Sequence, residues 1–344
     1  MRSAFDVVGI GNAIVDVIGK ADDHTLHLLG MVKSQMKLID LEMSSSLGAC
    51  LYDPVQSAGG AVANTMVGLA SLGARSGFIG KVKNDDLGQK FYADLRSNNV
   101  EFITKLADNG SPTAHCFVFV TPDANRTMNT FLGASIRLSA DDVDPAFIEA
   151  SHLTLLEGYL LDSLTARGAL RKAARIARAA GRKVGLTLSD TLLVHRHKDE
   201  LWSLIDDYTD ILIANETELV ALTGAADLNE AIGHIRGRAK FAAVTRAEKG
   251  SVIITGGRAM QVPAVPVKNA VDTTGAGDAY AAGVLFGIVT QRSPEECGWL
   301  GSLAAAEIVS HMGARPAMPL KEFVIAQVAG TPAVVRHANI ARQR

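Results

Sequence analysis

The segment Asp272–Asp278 reads DTTGAGD and carries the residue types that phosphoryl transfer needs. The run AYAAGVLFGI follows it and predicts a helix, so the glycine turn stands directly before a helix start. Backbone N–H groups there have no intrahelical partner, and together with the helix dipole they bind anions. We predict that the N–H groups of Gly275, Ala276 and Gly277 hold a phosphate while Asp278, as catalytic base, accepts the proton of an attacking hydroxyl. The alternative is an ordinary tight turn with an acid in the first turn of a helix.

The elements that must position this segment follow from hydrophobic periodicity. Gly59–Gly60 opens a second helical run, AVANTMVGLASL, which Gly73 would end. Later in the chain short apolar runs alternate with amphipathic ones, which is typical of an α/β fold with a mostly parallel central sheet and helices on both faces. A third helix is predicted after a cap at Asn84 or Asp85, with Leu87, Phe91 and Leu95 on its buried face. The predicted strands are 5–10, 153–156, 183–188, 211–214 and 241–245. The later predicted helices are 164–180, 200–206, 216–222, 276–290, 294–311 and 320–328, with a hairpin at 251–262.

The residues before 135 do not follow this rhythm. Residues 113–120 and 127–131 alternate around a Pro-Asp-Ala-Asn turn and predict a hairpin, whereas 16–41 shows only short β-like pieces. We predict one α/β domain over residues 1–344, with a small inserted β lid formed by segments about 16–41 and 100–132.

Composition and charge argue against several classes of function. The 344 residues are 48% hydrophobic and carry a formal net charge of −2, which offers no electrostatic basis for binding nucleic acid or an anionic membrane. Three widely spaced cysteines indicate neither a disulfide framework nor a zinc site. No apolar run reaches the roughly 18 residues of a membrane span, and the first residues lack the pattern of a signal peptide. We expect a soluble, reduced, cytoplasmic protein.

The DTTGAGD string resembles the C-terminal motif of the ribokinase and adenosine kinase family, also called the phosphofructokinase-B family. Two further segments are similar to that family: Gly9–Asp16, which reads GIGNAIVD, and Gly59–Asn64, which reads GGAVAN. These motifs stand in the family's order, and the resemblance covers roughly residues 5–330. It implies a ribokinase-like fold and transfer of the γ-phosphate of ATP to a hydroxyl group.

The resemblance also implies which residues bind the acceptor. Asp16 and Asn64 would hold hydroxyl groups, Gly59 and Gly60 would let the acceptor lie close to the backbone, and Asn12 belongs to the same opening motif. Taken alone, Asp16 would rather be a strand-end acid satisfied by local N–H groups, and it is the neighbouring GGAVAN string that favours the binding role. The alternative for Asn64 is a buried helix amide bonded to backbone.

On the nucleotide side, Asn215 and Glu218 resemble the family's NxxE element, which organises Mg²⁺ through water. Asn215 also suits the cap of a helix. Ala247 stands where many members carry glycine, which leaves the nucleotide contact at that point open. The resemblance implies that ATP is bound by Asn215, Thr245, Gly250, Thr274, Gly275 and Gly277.

Two further assignments concern charged groups. Arg126, at the turn of the predicted hairpin, would approach the phosphates or the substrate, or else be an exposed turn arginine. Asp272 and Gly313 align roughly with a monovalent-cation site of some family members.

The acceptor is the least determined feature. The GIGNAIVD opening resembles that of adenosine kinases, and Tyr159 stands where a nucleoside-binding member would stack an aromatic ring on the base. A core or interface tyrosine is the other interpretation. We expect a purine ribonucleoside, adenosine, phosphorylated at its primary 5′-hydroxyl, with ribose, fructose or a related sugar as the alternative.

Two functions of other classes are weighed against a kinase. A non-catalytic sugar or nucleotide sensor would be expected to have lost Asp278 or the glycine turn, and both are present. A hydride-transfer enzyme would need a third glycine after Gly9 and Gly11, where Ile14 stands instead. The sequence leaves open whether the protein is a monomer or a homodimer.

Overall fold

The computed structural model describes residues 4–48, 50–51, 54–123 and 125–330. Its strands are β1 (Phe5–Ile10), β2 (Ile14–Lys20), β3 (Met36–Leu38), β4 (Val55–Gly59), β5 (Ser76–Ile79), β6 (Val100–Phe102), β7 (Ala114–Val120), β8 (Arg126–Phe131), β9 (Ser151–Glu157), β10 (Lys183–Thr187), β11 (Ile211–Asn215), β12 (Phe241–Thr245), β13 (Ser251–Thr255) and β14 (Arg258–Val262). Its helices are α1 (Asp23–Leu28), α2 (Leu41–Gly48), α3 (Ala61–Leu72), α4 (Asp86–Ser97), α5 (Pro145–Glu149), α6 (Leu164–Ala179), α7 (Thr191–Arg196), α8 (Lys198–Asp207), α9 (Glu216–Thr223), α10 (Leu228–Ile235), α11 (Ala276–Val289), α12 (Pro294–Val309) and α13 (Leu320–Gly330).

The large sheet has the order β14-β13-β12-β11-β10-β9-β1-β5-β6. Its strands are parallel from β12 through β6, and the hairpin of β13 and β14 adds two antiparallel strands at one edge. The predicted α/β fold class is therefore confirmed. Parallel strands read as continuous apolar runs because both of their faces are covered, which is why periodicity located them.

Helices cover both faces of this sheet. Val8 and Ile10 of β1 pack with α6, α9 and α10 in one core cluster, whereas Val7 packs with α3 and α11 in another. Successive residues of a strand point to opposite faces, so one short run supplies both cores. The result is a rigid platform whose strand ends and helix starts meet along one edge.

A small sheet of order β3-β8-β7-β2-β4 lies beside it in the chain's first half. Its strands come from a wider range than the predicted lid segments, because β4 (Val55–Gly59) pairs with β2, while Val100–Phe102 pairs with the large sheet. The strand β4 reads VQSAG, with exposed and small residues, and thus lacks the apolar alternation that marks a strand. The hairpin of β7 and β8 was predicted correctly.

Five helices, α1, α2, α5, α7 and α10, are absent from the sequence prediction. Each begins after an aspartate whose carboxylate accepts a backbone N–H of the first turn: Asp22, Asp40, Asp144, Asp190 and Asp227. These caps are a sequence signal that hydrophobic periodicity overlooks in short helices. Among the described residues, no helix is long and apolar enough to cross a lipid bilayer.

Candidate active site

A cleft opens where the large sheet meets the start of α11. Thr187, Asn215 and Thr245, the last residues of β10, β11 and β12, line one side, and Gly277 and Asp278 line the other. Ligands of open parallel sheets bind outside the carboxyl ends of the strands, which is the position of this cleft. The topology thus brings the end of the DTTGAGD string to the same edge as Asn215 and Thr245.

The glycine turn has the open backbone donors that an anion site needs. Gly275 adopts φ +77° as the N-cap residue of α11 and supplies no side-chain cap. A Cβ on Gly277 would meet nothing within 4 Å, so the backbone there is approachable. Among the described residues, the N–H groups of Gly275, Gly277 and Asp278 have no acceptor, whereas that of Ala276 donates to the carbonyl of Thr273 at 3.1 Å. The N–H of Ala276 thus closes the turn, and the N–H groups on either side of it are the ones left open.

Asp278 lies in the first turn of α11, half-buried beside the cleft. The Nδ2 of Asn64, on α3, donates to its Oδ2 at 3.0 Å. Burial raises the pKa of Asp278 to about 7, while the bond from Asn64 and the charge of Arg315 act against this rise and Asp16 adds to it. A carboxylate that titrates near neutral pH is matched to general-base catalysis.

Asp16 and the glycine pair form the second group that the structure brings together. Strands β2 and β4 pair so that Asp16 stands opposite Ser57, and a Cβ on Gly59 would lie 2.7 Å from Oδ2 of Asp16. Gly60 adopts φ +98° and packs against the carbonyl of Asn12, where any side chain would clash. Burial raises the pKa of Asp16 to about 6, with Arg315 and Arg126 opposing the rise. Gly59 is thus required by the close approach of β4 to this carboxylate, and Gly60 by its approach to the carbonyl of Asn12.

A buried carboxylate that the sequence analysis missed lies behind Asn12. Glu157 ends β9, is 1% exposed, and accepts the backbone N–H of Asn12. Burial raises its pKa to about 8, against bonds from the N–H groups of Asn12, Val62 and Ala61 at the start of α3. Glu157 therefore ties the end of β1 to the head of α3. An acid at the carboxyl end of a buried parallel strand is a signal that was available in the sequence.

Asn215 and Glu218 form a capping box at the start of α9. The Oδ1 of Asn215 accepts the N–H of Glu218 at 2.8 Å, and Glu218 accepts the backbone N–H and Nδ2 of Asn215 at 2.9 and 2.7 Å. Burial raises the pKa of Glu218 to about 7. Because the capping box already engages these oxygens, the pair fits Mg²⁺ held through water better than direct coordination. In the described part of the chain, no group of three or more His, Cys, Asp or Glu could hold a metal ion.

Arg126 is not an exposed turn residue, because only 11% of its side chain is accessible. Its guanidinium lies 2.6 Å from Oδ2 of Asp272 and donates to Oγ1 of Thr274 at 3.1 Å. It therefore joins the small sheet to the loop that leads into the glycine turn. Asp272 also accepts the N–H of Gly313 at 2.8 Å, so the two residues aligned with a monovalent-cation site are neighbours. The carboxylate of Asp272 is paired with an arginine, which a cation at this point would have to displace.

Of two residues predicted to bind the nucleotide, Thr245 and Gly250, only the first lies in the cleft. Thr245 lines the cleft, whereas Gly250, with φ +83°, packs against Pro263 and Ala264 so tightly that only glycine fits. Ala247 has φ +50°, a left-handed conformation that costs a residue with a Cβ roughly 1–2 kcal/mol. That strain accounts physically for a glycine preference at this position.

Tyr159 follows β9 in the short 3-10 helix Gly158–Asp162. Its ring is partly buried and packs against the core cluster on the α6 face of the sheet. Burial and the nearby charges of Asp190, Glu157 and Glu218 raise the pKa of its phenol. Among the described residues, no hydrogen bond links its hydroxyl to Asp16 or Asn64, and the ring is not part of the cleft lining.

The chain matches the family described as pfkB family carbohydrate kinase over residues 46–321, most of its length. It belongs to the pfkB family. The expected ribokinase and adenosine kinase relationship is thereby confirmed, and the chain is a phosphotransferase that uses a hydroxyl group as acceptor. Family membership also implies that ATP is the phosphate donor.

Relatives within the pfkB family differ in the acceptor that they are named for. The 5-dehydro-2-deoxygluconokinase of Bacillus subtilis (strain 168) is 26% identical over 334 residues, which cover 94% of this chain and 95% of the relative. The solved adenosine kinase of Sinorhizobium meliloti is 42% identical, with a TM-score of 0.88 over 94% of this chain and 99% of that one. A probable sugar kinase of Rhizobium etli CFN 42 is 39% identical, with a TM-score of 0.88 over 95% and 99%.

Proposed function

We propose that this pfkB kinase transfers the γ-phosphate of ATP to the 5′-hydroxyl of a purine ribonucleoside, adenosine. The observation that carries the transfer chemistry is the position of Asp278, a carboxylate that titrates near pH 7 beside the unpartnered N–H groups of the glycine turn. Support for the nucleoside comes from the 42% identity to the Sinorhizobium meliloti adenosine kinase over 94% of the chain.

In this mechanism the acceptor lies between the two sheets, and the small sheet acts as the lid of a single domain. Asp16 holds acceptor hydroxyls from the lid side. Asn64 donates one N–H of its side-chain amide to Asp278 and offers the other to the acceptor. The acceptor oxygen attacks the γ-phosphorus, the bond to the β-phosphate oxygen breaks, and Asp278 receives the hydroxyl proton. The N–H groups of Gly275 and Gly277 stabilise the charge on the transferred group.

The metal requirement follows from the charge of the phosphates. Mg²⁺ neutralises phosphate charge when it is bound, and Asn215 and Glu218 would hold it through water. The neutral form of Glu218 is substantial near its pKa of about 7, so the affinity for the metal should rise with pH through neutrality.

A second candidate is a sugar kinase. Its specific support is the set of 5-dehydro-2-deoxygluconokinases, of which the Bacillus subtilis protein aligns over 94% of this chain. The position of Tyr159 also bears on the choice, because packing against the core limits the ring face that it could offer to a base.

Coupled measurement of ADP release with Mg-ATP decides between the two candidates. The panel contains adenosine, inosine, cytidine, ribose, fructose and 5-dehydro-2-deoxygluconate. Turnover on adenosine alone supports the nucleoside proposal, and turnover on a sugar acid or sugar alone transfers the proposal to that class. Asp278→Asn is the catalytic control, expected to lower kcat by about 10²–10⁴. Near-full activity of this variant would contradict its role as base on any acceptor.

A further inference from the structure

Arg315 lies in the loop after α12 and is part of none of the three sequence motifs. Its Nε donates to Oδ1 of Asn64 at 2.8 Å, and its NH1 lies 3.1 Å from Oδ2 of Asp94 on α4. Asn64 in turn donates from Nδ2 to Oδ2 of Asp278 at 3.0 Å. A continuous chain of polar contacts therefore runs from α4 through the Arg315 loop and α3 to the head of α11.

The two ends of the Asn64 amide differ in chemistry, and this difference fixes how Asn64 is oriented between Arg315 and Asp278. A guanidinium carries only donors, so the carbonyl oxygen of Asn64 must face Arg315. The NH₂ group of Asn64 then faces Asp278, where it donates to an ionised carboxylate. A flipped amide would place its oxygen against that carboxylate, which would disfavour ionisation.

We propose that Arg315 is a positioning residue that orients the Asn64 amide and thereby keeps the carboxylate of Asp278 ionised and aimed at the acceptor. This inference rests on the proposed role of Asp278 as base. Arg315 contacts none of the groups that would react, so it acts through Asn64 and through its charge.

The burial of Arg315 supports a functional role. Its side chain is 15% exposed, and apart from the ion pair of NH1 with Asp94 its terminal nitrogens have no hydrogen-bond partner among the described residues. A desolvated guanidinium is costly to bury even when it is paired, and such groups concentrate at functional sites.

Several titratable groups face Asp278 and must be separated from the effect of Arg315. Asp16 approaches from β2, Glu157 and Tyr159 from β9 and the turn after it, and Glu218 lines the same cleft from α9. These groups are acidic, so each favours the neutral form of Asp278 when it is charged. Among the described residues, Arg315 is the cation whose charge acts on Asp278 directly.

The test follows the titration of Asp278 in the full chain by ¹³C NMR of labelled aspartate carboxylates, with its signal identified by its loss in Asp278→Asn. Arg315→Gln should raise the pKa of Asp278 by about one pH unit, since a neighbouring opposite charge typically lowers a carboxyl pKa by about 1–3. Arg315→Lys retains the charge but loses the Nε bond to Asn64, so it should raise the pKa of Asp278 by less than Arg315→Gln does. The matched control is Arg167→Gln, because Arg167 is also a partly buried, ion-paired arginine, on α6 against Glu200 and away from the cleft. It should leave the titration unchanged.

Kinetics on the acceptor found in the panel give a second readout. In Arg315→Gln the acid limb of kcat/KM should move upward by the same interval, which lowers the rate at pH 7 about five-fold because the ionised fraction falls from about one half to one tenth. Arg315→Lys should move this limb by less than Arg315→Gln does and should lower kcat, since an ammonium group keeps the charge but cannot reproduce the Nε bond to Asn64. Full kcat in a folded Arg315→Lys would overturn the orienting role. This variant keeps the proposal testable if Arg315→Gln fails to fold.

The outcomes separate this inference from the proposed function. An inactive Asp278→Asn together with an unshifted Asp278 titration in Arg315→Gln would overturn the positioning role alone. An active Asp278→Asn would contradict the role of Asp278 as base, and the kinetic part of the inference about Arg315 would fail with it. A shifted titration accompanied by a shifted acid limb supports both.

Discussion

Replacing Asp278 by asparagine should make the protein more stable while it removes the base. Burial raises the pKa of this carboxyl from 3.8 to about 7, so the folded chain holds a proton that the unfolded chain releases. The contribution of Asp278 to the free energy of unfolding of the wild type is fully present below about pH 4 and is lost as the pH rises to about 7. At 1.36 kcal/mol per pH unit the loss reaches about 4 kcal/mol above pH 7, an upper limit because water in the cleft reaches the carboxylate.

Urea unfolding at pH 5 and pH 8 measures this effect. The free energy of unfolding of Asp278→Asn minus that of wild type should be larger at pH 8 than at pH 5, by up to about 2.5 kcal/mol. Asp199→Asn is the matched control, since Asp199 also lies in the first turn of a helix, α8, but is exposed. It should show a pH-independent difference within about 0.5 kcal/mol. A stability gain that is absent, or that does not grow with pH, would refute the argument that burial sets the titration of Asp278.

Three other variants test the geometry around the cleft. Gly59→Ala would place a Cβ 2.7 Å from Oδ2 of Asp16, so we expect a KM for the acceptor raised roughly ten-fold with the KM for ATP unchanged; equal changes in both would contradict the contact. Ala247→Gly relieves a left-handed alanine and should raise the free energy of unfolding by up to about 1 kcal/mol, measured by urea, whereas destabilisation would show that the strain is absent. Arg126→Gln breaks the pair with Asp272 that joins the small sheet to the glycine turn, and we expect a several-fold higher KM for ATP in initial-rate assays; an unchanged value would separate this pair from nucleotide binding.

Much of the fold was predictable from local patterns. Apolar runs located the parallel strands because those strands are covered on both faces, and glycines located the ends of α3 and the start of α11. The strand Val55–Gly59 escaped prediction because its residues are small or exposed and carry no periodicity. The short helices α1 and α7 escaped because only their aspartate caps mark them, and two turns are too few for a period to show.

The residue types of the candidate site were also visible in the sequence, because DTTGAGD and GGAVAN are local strings whose backbone conformation depends on their own glycines. Their electrostatics were not visible. Asn64 and Asp278 are 214 residues apart in the chain, and Arg315 is 251 residues from Asn64. Nothing in the loop around Arg315 marks it as a partner of either motif. A pKa near 7 at Asp278, or near 8 at Glu157, arises from the removal of water by segments distant in sequence. The sequence by itself therefore determined the chemistry that is available, and the tertiary structure alone decided which charges meet and how strongly burial shifts them, since desolvation and Coulomb interactions depend on distance in space.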